Sequence, residues 1–166
     1  MRIRRPHHSP FGLVLFTVAI GCAYYNGLYN ANRLADEARK AEREGRRSEA
    51  QSLWAQVAVK AESVATRYPD SRHRDDALLM QGHALKEIGE CLDAIAPLHE
   101  AVAVSTDFEL RARAGLLLGE CHLSAGEADS AWSILSTLVD HPDSSTSSRA
   151  LLWRGRAAMA RREPAD

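Results

Sequence analysis

Apolar and small residues recur three and four positions apart through most of the chain after residue 28, a spacing that predicts helices rather than strands. Leu78, Gly82, Leu85 and Ile88 form one such face. After Gly89 the face continues on a second helix through Ala94, Leu98 and Ala101. Gly115, Leu118, Gly119 and His122, then Ala131, Leu135 and Leu138, repeat the arrangement. The runs are separated by Gly45, Gly89 and Gly126, each followed five residues on by Ala50, Ala94 or Ala131, and four further by Trp54, Leu98 or Leu135. The pattern predicts helical hairpins. The small residues Gly82, Gly119, Ala94 and Ala131 allow paired helices to approach closely, and Trp54, Leu98 and Leu135 fill the space beside them. One hairpin cannot bury its apolar face alone, so neighbours must stack.

A second register agrees. TRYPDSRHRDDALLMQGHA and VDHPDSSTSSRALLWRGRA align at an offset of 73 residues, about two units of 36 to 37. Pro69 and Pro142 end helices, and the Asp-Ser pairs that follow start turns or cap the next helix. The expected units are 28–68, 75–105, 110–140 and 148–162. The first unit's second helix, from Ser48 to about Tyr68, is expected to be longer by about two turns, or ~10 Å. The last segment, Ser148 to Arg162, reads as a lone first helix. Its run RGRAAMARRE is polar enough to favour a cap over a truncated fourth unit.

The order of glycines, alanines and large apolar residues resembles the tetratricopeptide repeat. Gly82, Leu85, Gly89, Ala94, Leu98 and Ala101 match it, as do Gly119, Gly126, Ala131 and Leu135. Ala38, Ala41, Gly45, Ala50 and Trp54 match more weakly, with Glu37 at a normally apolar place. The resemblance implies an all-α solenoid of about 3.5 repeats over roughly residues 28–162. In that family the first helices line a concave face, which would place Arg39, His83, Lys86, Arg113, Glu120, Arg149 and Arg156 by a groove suited to a peptide segment.

The first residues follow another rule. Arg2, Arg4 and Arg5 precede the charge-free run Phe11 to Gly21, which at about 16 Å of helix is too short to span a bilayer but suits an export signal. Val18-Ala19-Ile20-Gly21-Cys22 resembles the lipobox of bacterial lipoproteins. That resemblance implies a signal at 1–21, a lipid on Cys22, a tether at 22–27 and, with Ala23 next, anchoring in the outer membrane on the periplasmic side. Ala19-x-Gly21 also suits ordinary signal peptidase, which would leave a soluble periplasmic or secreted protein. Loss of residues 1–21 would leave 18 basic and 22 acidic side chains, net −4. No basic block remains, which argues against nucleic acid and against adhesion to anionic headgroups.

A length of 166 residues, 45% hydrophobic and 26% charged, is that of an ordinary folded domain. His83, His99, His122 and His141 stand at spacings set by the repeat, with no ligand pair for a metal. There is no phosphate loop or nucleophile elbow, so neither a cofactor, a small-molecule substrate nor an enzyme is expected. Cys91 and Cys121 are expected near each other. Two buried free thiols are the favoured reading, with a disulfide as the alternative in an oxidising compartment. The signal, lipid anchor and Tyr-Pro-Asp-Ser turns resemble the BamD-type lipoproteins. That implies a non-catalytic scaffold for outer-membrane protein assembly, with other envelope proteins as partners. The turns are also similar to those of the periplasmic repeat protein of the Tol–Pal system, which implies instead an adaptor coordinating cell-envelope synthesis.

Overall fold

A computed structural model describes residues 10–162, with side chains from residue 27 onward. The charge-free run Phe11–Gly21 and Cys22 therefore fall outside the described side chains. Among the described residues the chain is all-α, with seven helices and no strand. They are α1 (Pro10–Arg43), α2 (Arg47–Arg67), α3 (Arg74–Glu87), α4 (Cys91–Val104), α5 (Phe108–Ser124), α6 (Ala128–Ser136) and α7 (Ser144–Ala160). Each helix packs on the next in sequence, and α3 also packs on α5 and α5 on α7.

The recurring glycines are the hinges of α1–α2, α3–α4 and α5–α6. Gly45, Gly89 and Gly126 have φ of 75°, 88° and 80°. At each, the glycine N–H bonds the carbonyl three residues back, and the next N–H bonds the carbonyl five back. This is the Schellman arrangement, which needs the left-handed conformation that only glycine adopts without strain. One glycine thus ends a helix and reverses the chain. The helices so paired are held close by the other small residues. A Cβ on Gly119 would lie 2.5 Å from Cγ of Leu135, and one on Gly82 2.6 Å from Cδ2 of Leu98. Ala94, Ala131, Leu98 and Leu135 are fully buried, and Trp54 nearly so.

The helix α2 has 21 residues against 14 in α4, an excess of about 10 Å at 1.5 Å per residue. Its extra turns lie along the upstream part of α1, where a Cβ on Gly27 would come within 2.8 Å of Val64. The two Pro-Asp-Ser turns differ in use. Asp143 caps α7, accepting from the Thr146 N–H at 2.8 Å. Asp70 does not cap α3, which starts three positions later in the alignment, after His73, with no side-chain cap. Asp107 instead supplies an unforeseen cap, accepting from the Glu109 and Leu110 N–H groups at the start of α5.

One expectation is overturned. Cys91 and Cys121 are joined in a disulfide rather than left as free thiols. The first residue of α4 and the last turn of antiparallel α5 lie side by side, with Cα atoms 4.8 Å apart. That is within the range a disulfide requires, so the packing of α4 on α5 also pairs the two sulfurs.

Candidate functional site

Hairpin reversal packs α3 on α5 and α5 on α7, and seven residues from the odd-numbered helices were expected on one face. The structure sorts these into two groups and a single. Arg39, His83 and Arg113 line a cavity of about 270 Å³ between α1, α2, α3 and α5. Its walls include Trp54, Met80 and Asp76. The ring of His83 lies 5.2 Å from that of Trp54, and the Arg39 guanidinium lies 5.8 Å from the same indole. Arg39 also bonds Asp36 at 2.8 Å, while Arg113 is exposed.

Lys86, Glu120 and Arg149 form the second group. The Glu120 carboxylate, with a side chain only 6% exposed, receives Lys86 Nζ at 3.3 Å from α3 and Arg149 at 2.9 Å from α7. Two cations from neighbouring hairpins compensate one buried anion, which is the condition for tolerating a charge there. Glu87 extends the line, 3.3 Å from Lys86 Nζ and 3.3 Å from His83 Nε2. The chain of contacts from the Trp54 cavity therefore runs His83, Glu87, Lys86, Glu120, Arg149 across α3, α5 and α7.

These contacts set the ionisation. The His83 hydrogen bond holds the Glu87 carboxyl down to about 2; burial opposes this and Lys86 adds to it. Burial alone would lower the Lys86 ammonium, but Glu120 and then Glu87 outweigh it and raise it. Both groups are charged over the physiological range. Arg156 is the seventh residue, set apart, with its guanidinium 4.3 Å over the Trp153 ring.

Glu87 and Trp153 were not singled out in the sequence, though a local signal existed. Glu87 follows His83 by four residues, and Trp153 stands four after Arg149 and three before Arg156, so each shares its helix face with them. The other described histidines are scattered: His73 lies 3.2 Å from Asp76, His99 is exposed, His122 bonds Glu127 at 2.6 Å, and His141 stacks on Phe108 at 4.6 Å. Among the described residues no three His, Cys, Asp or Glu side chains gather as a metal site. None of the described helices is long and apolar enough to cross a membrane. No protein-family model matches the chain, and no curated protein matches it either.

Proposed function

We propose that this chain is a non-catalytic protein-interaction scaffold, a tetratricopeptide-like array whose odd-numbered helices bind a segment of another envelope protein. The observation that carries this reading is the line of side chains from the Trp54 cavity through Lys86 and Glu120 to Arg149. It combines an aromatic wall, two cavity arginines and fixed charges, the mixture that seats a peptide with apolar and acidic positions. The three identical glycine turns support the repeat architecture. The Cys91–Cys121 disulfide fits an oxidising compartment, in keeping with export behind a lipoprotein signal and a lipid on Cys22. On this reading the protein is BamD-like, held at the periplasmic side of the outer membrane and engaged in outer-membrane protein assembly.

The second reading is a periplasmic adaptor of the Tol–Pal type, which the Pro-Asp-Ser turns fit as well as they fit the first. Crosslinking in intact envelopes, followed by capture, separates the two. Barrel-assembly subunits lost from an Arg39→Glu/Arg113→Glu variant support the first, and Tol–Pal components or cell-wall synthases support the second. Capture unchanged by the double substitution overturns this groove as the binding face. Palmitate labelling of the wild type but not of Cys22→Ala checks the anchor.

A further inference from the structure

Gly82, Gly119 and Gly155 occupy the same place in successive units, 37 and 36 residues apart. The first receives Leu98 and the second Leu135, whereas a Cβ on Gly155 would meet none of the described residues within 4 Å. Its neighbours show the same contrast. Leu78 and Leu79 are 4% and 5% exposed, but their counterparts on α7, Leu151 and Leu152, are 48% and 56% exposed. Met159, one turn beyond Gly155, is 63% exposed. Leu151, Gly155 and Met159 stand four residues apart, so they form one stripe with a notch at its centre. The expected polar cap is therefore an apolar face. This stripe lies roughly a third of a turn or more round α7 from Arg149, Trp153 and Arg156, distinct from the charged line.

Charge narrows what fits. The helix α7 carries Arg149, Arg154 and Arg156 and no acidic residue, and exposed Arg162 follows. The two helices that cover the equivalent glycines, Gly82 and Gly119, have the opposite character: α4 holds Asp93 and Glu100, α6 holds Asp129, and neither has Lys or Arg. Their acids reach basic residues beside them, Glu100 to Arg74 at 2.5 Å and Asp129 to Arg161 at 2.5 Å. A second α7 in the notch would set three arginines against three, which disfavours self-pairing.

We propose that the open face of α7 docks an acidic amphipathic helix of a partner protein, seating a leucine against Gly155 as Leu98 and Leu135 sit against Gly82 and Gly119. This surface is additional to the groove and does not depend on it. A partner helix with small-x-x-x-Leu at its centre and acids at its rim reproduces the contacts made twice within the chain.

The test uses a fluorescent peptide of residues 127–140, EADSAWSILSTLVD, which has Leu135 near its centre, three acids and no basic residue. Titrated with the full chain, its anisotropy should rise and saturate. Gly155→Leu in the protein, Leu135→Ala in the peptide, or exchange of its acids for amides should each weaken binding by about tenfold or more. Leu152→Glu serves as a second variant, and thermal melts confirm that both fold. Absence of binding overturns the proposal. So does binding indifferent to Gly155→Leu and Leu152→Glu, which would mean that the peptide had replaced α6 over Gly119. A dimer of the chain alone, seen by sedimentation and dissolved by Gly155→Leu, overturns it in favour of a second copy as the occupant.

Discussion

Replacing Gly119 by alanine sets two opposite effects against each other. Alanine inside a helix is favoured over glycine by about 1 kcal/mol. The added Cβ, however, would lie 2.5 Å from Leu135 Cγ, 2.7 Å from Cδ2 and 3.0 Å from Cδ1. Leu135 is fully buried, so it cannot swing into solvent and α5 and α6 must part instead. Overpacking of this kind costs about 1–3 kcal/mol, which leaves a net loss of roughly 1 kcal/mol. Gly155→Ala meets no such obstacle and should gain about 0.5–1 kcal/mol from propensity alone. Equivalent substitutions in equivalent units thus have opposite signs. Urea melts at 25 °C measure both. In a Leu135→Ala background the clash is gone, and Gly119→Ala should turn stabilising. Gly119→Leu should lose more than about 2 kcal/mol. Gly119→Ala as stable as the wild type would refute close helix approach as the reason for the glycine.

Other outcomes follow from the same contacts. The disulfide closes a loop of sequence separation 30, so its reduction should cost about 3–4 kcal/mol on a chain-entropy basis; thiol reagents should label Cys91 and Cys121 of the denatured protein only after reduction. Glu87 has its folded carboxyl at about 2 against a usual 4.5. Its contribution is complete above about 4.5 and lost as pH falls towards 2, so the stability gap between wild type and Glu87→Gln should be present at pH 5 and shrink by pH 2.5. Removing both cations by Lys86→Met/Arg149→Met leaves Glu120 buried and unpaired, and should cost about 3 kcal/mol or more. Glu120→Gln should cost less in the same melts, because Lys86 and Arg149 keep side-chain exposures of 26% and 53% and can turn to water.

The helices were legible because local chemistry dictates them. Gly45, Gly89 and Gly126 each carry a turn that few other residues can make, and the Ala–Leu or Ala–Trp spacing after them marks a buried face. What escaped depends on relative placement. Cys91 and Cys121 could be brought near each other by counting residues, yet a Cα separation of 4.8 Å is set by the angle between α4 and α5. The seven residues expected on one face stand on α1, α3, α5 and α7. That Glu120 is buried between Lys86 and Arg149, rather than offered to solvent with them, depends on how α3 and α7 flank α5. The run RGRAAMARRE read as polar because its arginines are conspicuous, whereas the stripe of Leu151, Gly155 and Met159 emerges only when the residues are set on a helix.

The disulfide joins α4 to α5, and so ties one hairpin to the next rather than closing a single hairpin. In an array where each unit touches only its neighbours, hairpins can fray one at a time from either end. A covalent link across the α4–α5 junction denies that freedom to the middle of the molecule, since neither hairpin can drift off once its partner has opened. Oxidised protein should therefore melt with α3 through α6 as one cooperative block. Reduced protein should lose that unity and open in steps, making the redox state of its surroundings the control on how sharply it unfolds.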